Sequence, residues 1–233
     1  MENICLKNQR IWFNKTILND ADSLLFSPDE WQRRGLVVGS AEGRGTTWFV
    51  QLPLMHAALR HYRRGGLFRK ITKDYYWFTG WKKTRSYQEF QLLERLRSHN
   101  VNVPKPVAAQ AIRYGLLYRA DLLSEKIPNA RDLFSILQNR KLSETRYRSI
   151  GTEIRKMHDV GIHHADLNIH NILIDDSDQV WIIDFDKCVA KAGDSWKTNN
   201  LSRLLRSFRK EREKRHIHWH EDSWDALQRG YKG

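Results

Sequence analysis

Short apolar runs punctuated by glycine dominate the early part of this chain, and helix-spaced apolar stripes dominate the remainder. Leu36-Val37-Val38 and Trp48-Phe49-Val50 read as two strands joined by a loop that carries Gly39, Gly43 and Gly45. Met55–Tyr62 predicts the next strand. Ser86–Leu96 has helical period, with Phe90, Leu93 and Leu96 along one side. Asn102-Val103-Pro104-Lys105-Pro106 ends that helix, because proline lacks an amide donor and restricts the residue before it. Tyr114–Leu123 predicts a strand hairpin, and Ser124–Pro128 a hinge. Asp132 is placed to cap a helix. Tyr147, Ile150, Ile154 and Met157 mark a core helix after Ser143. Ile172-Leu173-Ile174 and Val180-Trp181-Ile182-Ile183 predict two short strands around the polar turn Asp175–Gln179. Leu201, Leu204, Leu205 and Phe208 then form one helical stripe with basic residues between them.

The chemistry is concentrated around the last of these hairpins. His164-Ala165-Asp166-Leu167-Asn168-Ile169-His170-Asn171 reads H-x-D-L-x-x-x-N, and Asp184-Phe185-Asp186 comes after the hairpin as D-F-x. That order is the catalytic loop and metal loop of a kinase-like phosphotransferase. A hairpin between them returns Asp184 to the side of Asn171. Phosphoryl transfer asks little covalent chemistry of a protein; it needs a positioned hydroxyl, a positioned γ-phosphate and neutralised charge. Asp166 is the candidate acceptor of the hydroxyl proton, with Asn171 and Asp184 as candidate Mg2+ ligands. Two rival readings remain on the residues alone, a hairpin with solvated acids and a zinc site of His163, His164, Asp166 and His170. Neither explains Asn171 and Asp184 together.

The kinase pattern gives the earlier segments roles. Glycines let backbone amides approach phosphate oxygens, so Gly39, Gly43 and Gly45 are expected to cover a bound nucleotide. Their spacing departs from G-x-G-x-x-G. Arg60 stands where a phosphate-contacting lysine is expected, with Lys70 as the fallback, and Glu89 is the helix carboxylate expected to hold Arg60. Backbone groups from Glu125 to Ile127 are expected at an adenine edge. Asp186 occupies the place of the usual metal-loop glycine, so a glycine-dependent flip of that loop is not expected. The expected fold is α+β, protein-kinase-like and two-lobed. A small β-rich N-lobe with one helix covers residues 1–125, and a larger, mainly helical C-lobe covers 126–233, with ATP in the cleft.

Composition narrows the partners. The chain has 233 residues, of which 40% are hydrophobic, so it is long enough and apolar enough for a proper core. Cys5 and Cys188 are its two cysteines, which argues against a disulfide framework. The first residues hold no apolar run suited to a signal peptide, and no stretch approaches the ~20 apolar residues of a membrane span. The net charge of +13 is clumped, at Arg60–Arg64, at Lys82-Lys83 with Arg85, and after Leu201. Such clumps imply an anionic partner. A nucleic-acid-binding protein with an inert kinase fold fits the charge, but it has no use for Asp166, Asn171 and Asp184, so no nucleic acid is expected. The basic helix is expected to pack its stripe on the larger lobe, with a membrane-surface helix as the alternative.

Three stretches carry a resemblance: Leu59-Arg60-His61-Tyr62-Arg63-Arg64-Gly65-Gly66, Asp121–Ile127, and His163–Asn168. From about Gly35 onward the chain resembles the bacterial lipopolysaccharide-core sugar kinases, and most of all their branch acting on 3-deoxy-D-manno-octulosonic acid (Kdo). The resemblance implies transfer of the ATP γ-phosphate to the 4-hydroxyl of Kdo on a lipid A precursor. It implies a peripheral protein on the cytoplasmic face of the inner membrane of a Gram-negative bacterium. A core heptose or another small hydroxyl acceptor is the alternative substrate.

Overall fold

The computed structural model describes residues 1–42, 45–63 and 74–233. Gly43 and Lys70, both assigned roles above, lie outside these. The chain divides into two compact units, Met1–Glu94 with Lys105–Lys126, and Arg95–Pro104 with Ile127–Gly233. Arg95–Pro104, expected in the first lobe, belongs to the second unit.

Unit 1 is built on an antiparallel sheet. Its strands are β1 (Glu2–Leu6), β2 (Gln9–Phe13), β3 (Val37–Glu42), β4 (Thr46–Gln51), β5 (His56–His61), β6 (Tyr76–Trp77), β7 (Pro106–Tyr114) and β8 (Leu117–Glu125). They run in the order β1-β2-β7-β8-β5-β4-β3, and β6 pairs with β8. The strands β1 and β2 were not expected; they add an outer hairpin to the sheet through β7. One sheet face is apolar, with Ile11, Val50, Ala57, Leu59, Ala108 and Leu123 buried under Leu18, Phe26 and Trp31 of the N-terminal segment. Within that segment α1 (Pro28–Arg33) is capped by Ser27 and opens with proline at its first position, where a missing N–H costs nothing.

The helix α2 (Arg85–Ser98) has the predicted period, and Phe90, Leu93 and Leu96 are all buried. Burial of each such side chain contributes about 1.5–3 kcal/mol.

Unit 2 is mainly helical. It contains β9 (Arg131–Asp132), α3 (Leu133–Asn139), α4 (Glu144–Asp159), β10 (Ile162–His163), β11 (Ile172–Ile174), β12 (Val180–Ile182), β13 (Val189–Ala190), α5 (Ser195–Arg215) and α6 (Glu221–Lys232). Asp132 caps α3 by accepting from Ser135 N at 3.1 Å, and Ser143 caps α4. Tyr147, Ile150, Ile154 and Met157 of α4 are buried, as the spacing predicts. Phe208 of α5 stacks on Trp219 at 5.2 Å, so the basic helix does lay its stripe on this unit. The helices α4 and α6 pack backbone to backbone. A Cβ on Gly151 would run into the Leu227 carbonyl, and one on Gly230 into the Arg148 carbonyl.

Candidate active site

The hairpin β11–β12 positions the candidate catalytic residues. Its register is Ile172↔Ile182, Leu173↔Trp181 and Ile174↔Val180. Asp175 closes the turn by accepting from Ser177 N at 2.9 Å, Gln179 N at 3.0 Å and Trp181 Nε1 at 2.8 Å. At the open end, Ile183 N donates to Asn171 O at 3.0 Å. Asp184, the next residue, is thereby fixed beside Asn171. Asp184 has φ +63°, a left-handed backbone that reverses the chain after the strand.

The loop before the hairpin is tied to itself. Asn171 Nδ2 and Asn168 Nδ2 each donate to Asp166 O at 2.9 Å. Asn168 Oδ1 in turn accepts from His170 N at 2.8 Å. With its nitrogen used in this way, the Asn171 amide keeps its oxygen for another partner. An amide oxygen and a carboxylate are the hard oxygen donors that suit Mg2+, which commonly takes one or two protein carboxylates together with phosphates and waters. The residues present fit that ion. They do not fit the zinc alternative. His164 is fully buried; its Nδ1 accepts from Asp166 N at 3.2 Å and its Nε2 lies 3.0 Å from Ile183 O. Both ring nitrogens are committed, Nδ1 within its own loop and Nε2 to the segment that leads into Asp184.

One face of α5 supports this loop at three points. Asn200 Nδ2 donates to His164 O at 2.8 Å, and its Oδ1 accepts from His164 N at 3.3 Å. Arg203 Nη2 donates to the Asp166 carboxylate. Ser207 Oγ accepts from Ile169 N at 3.2 Å. Burial pushes the Asp166 carboxyl up, but the Arg203 hydrogen bond and charge, with help from Asn168, outweigh it and hold the carboxyl below the usual range. His158 of α4 completes the arrangement, with Nε2 at 3.0 Å from Asn200 Oδ1 and Nδ1 at 2.8 Å from the Tyr231 hydroxyl. Burial, first, and neighbouring positive charge lower its pKa to about 4.

Unit 1 brings Arg60 and Glu89 together, with Arg60 Nη2 at 2.5 Å from Glu89 Oε1. Glu89 is buried, and its second oxygen accepts from the Tyr62 hydroxyl at 2.5 Å. The Arg60 guanidinium also lies 5.2 Å from the Tyr62 ring centroid. Gly45 sits in the turn after β3, whereas Gly39 does not. Gly39 is inside β3, paired with Phe49 at an irregular register step. The expected loop is shorter than the sequence suggests because Ser40, Ala41 and Glu42 continue the ladder opposite Trp48, Thr47 and Thr46. Glu125 N donates to Lys105 O at 2.8 Å and Lys126 N to His56 O at 3.0 Å, so these two amides are engaged within unit 1. Ile127, buried, opens the stretch assigned to unit 2.

The sequence gives Arg203 only a place in a basic cluster and His158 only a place in the core stripe of α4, and it does not pick out Asn200. The available signal was a second stripe on α5, Asn200, Arg203 and Ser207, one helical step aside from the apolar one.

Comparison with known proteins adds a family. The model of the lipopolysaccharide kinase (Kdo/WaaP) family matches residues 29–231. The chain is 61% identical over 224 residues to the 3-deoxy-D-manno-octulosonic acid kinase of Vibrio cholerae, covering 96% of this chain and 95% of that protein. It is 54% identical over 232 residues to the protein of the same name from Photobacterium profundum, covering 100% and 98%. A solved structure, that of the Cydia pomonella granulovirus kinase PK-1, is similar over 66% of this chain and 52% of its own, with a TM-score of 0.46 and 15% identity.

Proposed function

This chain belongs to the lipopolysaccharide kinase (Kdo/WaaP) family, and from that premise we propose that it phosphorylates Kdo in the lipopolysaccharide core with ATP as donor. The acceptor atom in this reading is the 4-hydroxyl of a Kdo residue on a lipid A precursor. One observation carries the catalytic assignment. Asp166, Asn171 and Asp184 sit on two loops tied at the base of a single hairpin, through Ile183 N to Asn171 O at 3.0 Å and Asn171 Nδ2 to Asp166 O at 2.9 Å.

Asp166 orients the acceptor hydroxyl and takes its proton as the new O–P bond forms and the bond to the ADP oxygen breaks. Arg203 keeps that carboxylate ionised and aimed. Asn171 Oδ1 and the Asp184 carboxylate are the donors that would hold Mg2+, which when bound neutralises charge on the phosphates. Arg60, held by Glu89, is the phosphate contact in unit 1, and its fork offers two parallel N–H groups.

A lipid-linked acceptor requires work at a membrane face, here the cytoplasmic side of the inner membrane, with this chain as a peripheral protein. No helix among the described residues is long and apolar enough to cross a membrane. Arg203, Arg206, Arg209, Lys210, Lys214 and Arg215 of α5 are exposed. Each basic residue near an anionic surface contributes about 1 kcal/mol. Salt-sensitive co-sedimentation with anionic vesicles supports this placement, and its absence at low salt removes it.

Mass spectrometry of purified Kdo-lipid A precursor incubated with the chain and magnesium-ATP tests the reaction. Gain of one phosphoryl group on Kdo is expected. An unmodified Kdo acceptor beside a phosphorylated heptose acceptor would overturn the substrate assignment.

A further inference from the structure

Arg60 and His61 close β5 and Tyr62 and Arg63 follow it, with Tyr62 N still donating to Ala120 O at 3.0 Å, so the side chains go on alternating between two faces. Arg60 and Tyr62 both reach Glu89. His61 and Arg63 point the other way, into a pocket of about 410 Å³ on the opposite face of the unit 1 sheet. The proposed reaction uses Arg60, held by Glu89, and leaves His61 and Arg63 unexplained.

That second face changes character along its length. Where the N-terminal segment covers it, Leu59, Ala108 and Leu123 are apolar and buried. One pair further along each strand, His61, Asp121 and Gln110 stand side by side across β5, β8 and β7. They form a continuous chain. Gln9 Nε2 donates to Gln110 Oε1 at 2.6 Å, Gln110 Nε2 to Asp121 Oδ2 at 3.0 Å, and His61 Nδ1 lies 2.6 Å from Asp121 Oδ1. His61 Nε2 lies 3.1 Å from Asp74 Oδ2, which Arg119 also engages at 2.6 Å. Gln110 and Asp121 are only 4% and 8% exposed. Burying such groups is unfavourable unless every partner is supplied, and apolar residues close the same face a few ångströms away.

The charged groups of the pocket are unequally partnered. Burial pulls the His61 pKa down, but the hydrogen bonds and charge of Asp121 and Asp74 outweigh this and raise it, against opposition from Arg119. Asp121 is engaged by His61, and Asp74 by Arg119 and His61. Arg63 is left over, with no acceptor among the described residues. It is not a loose arm, since it lies along Gly45, where a Cβ would stand 2.8 Å from Arg63 Cδ. Arg119 Nε is a buried donor that also lacks an acceptor among the described residues. Trp48 and Tyr114 line the same pocket and offer ring faces. The volume falls within the range of about 300–1,000 Å³ usual for small-ligand sites.

We propose that this pocket is a second, non-catalytic ligand site, for a monosaccharide unit carrying a carboxylate or phosphate. The anion meets Arg63 beside the Arg119 guanidinium, ring hydroxyls meet the Gln110–Asp121–His61 chain, and an aromatic ring covers the apolar face of the sugar.

Calorimetric titration of the whole chain, without nucleotide, tests it with four probes: free Kdo, glucosamine 6-phosphate, glucose and inorganic phosphate. Saturable binding of at least one anionic sugar is expected, at a Kd of about 1 mM or tighter, with glucose and phosphate at least about tenfold weaker. Arg63→Gln should weaken the sugar about tenfold while leaving the melting temperature in place; Arg119→Gln should act in the same direction. Asp166→Asn should leave this binding unchanged. An isotherm that loses one of two sites in Arg63→Gln supports the proposal equally. The idea fails if neither anionic sugar saturates, if inorganic phosphate binds as well as the sugars, or if Arg63→Gln has no effect while Asp166→Asn abolishes binding.

Discussion

Arg203 reaches the Asp166 carboxylate from the face of α5 whose neighbouring positions, Asn200 and Ser207, hold the backbone of the same loop. A cation on a general base has two opposed effects: it keeps the base ionised at lower pH and it reduces its basicity. Arg203→Met should therefore move the acidic limb of the kcat profile to higher pH, since the guanidinium no longer favours the charged carboxyl. Turnover should fall roughly tenfold to a hundredfold from lost orientation. A pH–rate profile checks both, and an unmoved acidic limb would detach Arg203 from the base.

Asp166 and Asp184 should separate cleanly in their effects. Asp166→Asn should lose about 10²–10⁴-fold in kcat while still binding magnesium-ATP. Asp184→Ala should lose the magnesium-dependent part of nucleotide affinity and leave metal-free ATP binding alone. Fluorescent-nucleotide titration with and without Mg2+ discriminates the two, and unchanged magnesium-ATP affinity in Asp184→Ala would contradict its assignment.

Glu89 is 4% exposed and Arg60's side chain 28%. The two truncations are thus unequal. Arg60→Ala strands a buried carboxylate and should cost about 3–5 kcal/mol of stability, whereas Glu89→Ala leaves an arginine with partial access to water and should cost less. Arg60→Lys keeps charge but loses the fork, so the KM for ATP should rise about tenfold with little change in stability. Urea denaturation and ATP kinetics on the three variants provide the check.

Gly151 and Gly230 invert an ordinary expectation. Glycine to alanine inside a helix stabilises by about 1 kcal/mol on propensity alone. Here the added methyl meets a carbonyl of the facing helix, so each substitution should destabilise by about 1–3 kcal/mol through overpacking. Chemical denaturation gives the sign directly, and a stabilised Gly151→Ala would mean that α4 and α6 separate at little cost.

His158 makes stability depend on pH. Its folded pKa of about 4 lies below the unfolded value of 6.5, so the unfolded chain binds the proton more readily. The contribution is complete above pH 6.5 and is lost as pH falls from there toward 4, to a total of about 3 kcal/mol. Denaturation at pH 7 and pH 5 should show that slope, and His158→Gln should flatten it.

The sequence was most legible where motif and local pattern agreed. Asp175 and the alternation around it announced the hairpin, and the three-residue strands that formed leave Asp184 beside Asn171. The helix of Phe90, Leu93 and Leu96 was equally plain, because burial on one side is its whole logic. Gly39 misled because glycine in a strand and glycine in a loop look alike in sequence; the ladder from Ser40 to Glu42 decided it. Arg203 was hidden for a different reason. Its contact joins positions 37 apart in sequence, and many exposed arginines share its surroundings. The outer hairpin β1–β2 is hard to see in sequence because its five-residue strands offer little apolar alternation, with Ile4 the least exposed residue of β1.

The hairpin that carries Asn171 and Asp184 behaves as a spacer whose length can vary at only one end. Two residues added as a matched pair at the Asp175 tip would lengthen the ribbon and leave its root unchanged. A single residue added to either arm would slip the pairing and turn Asp184 toward the opposite surface. Evolution of this segment is therefore expected to proceed by even steps at the tip, with its root frozen in register.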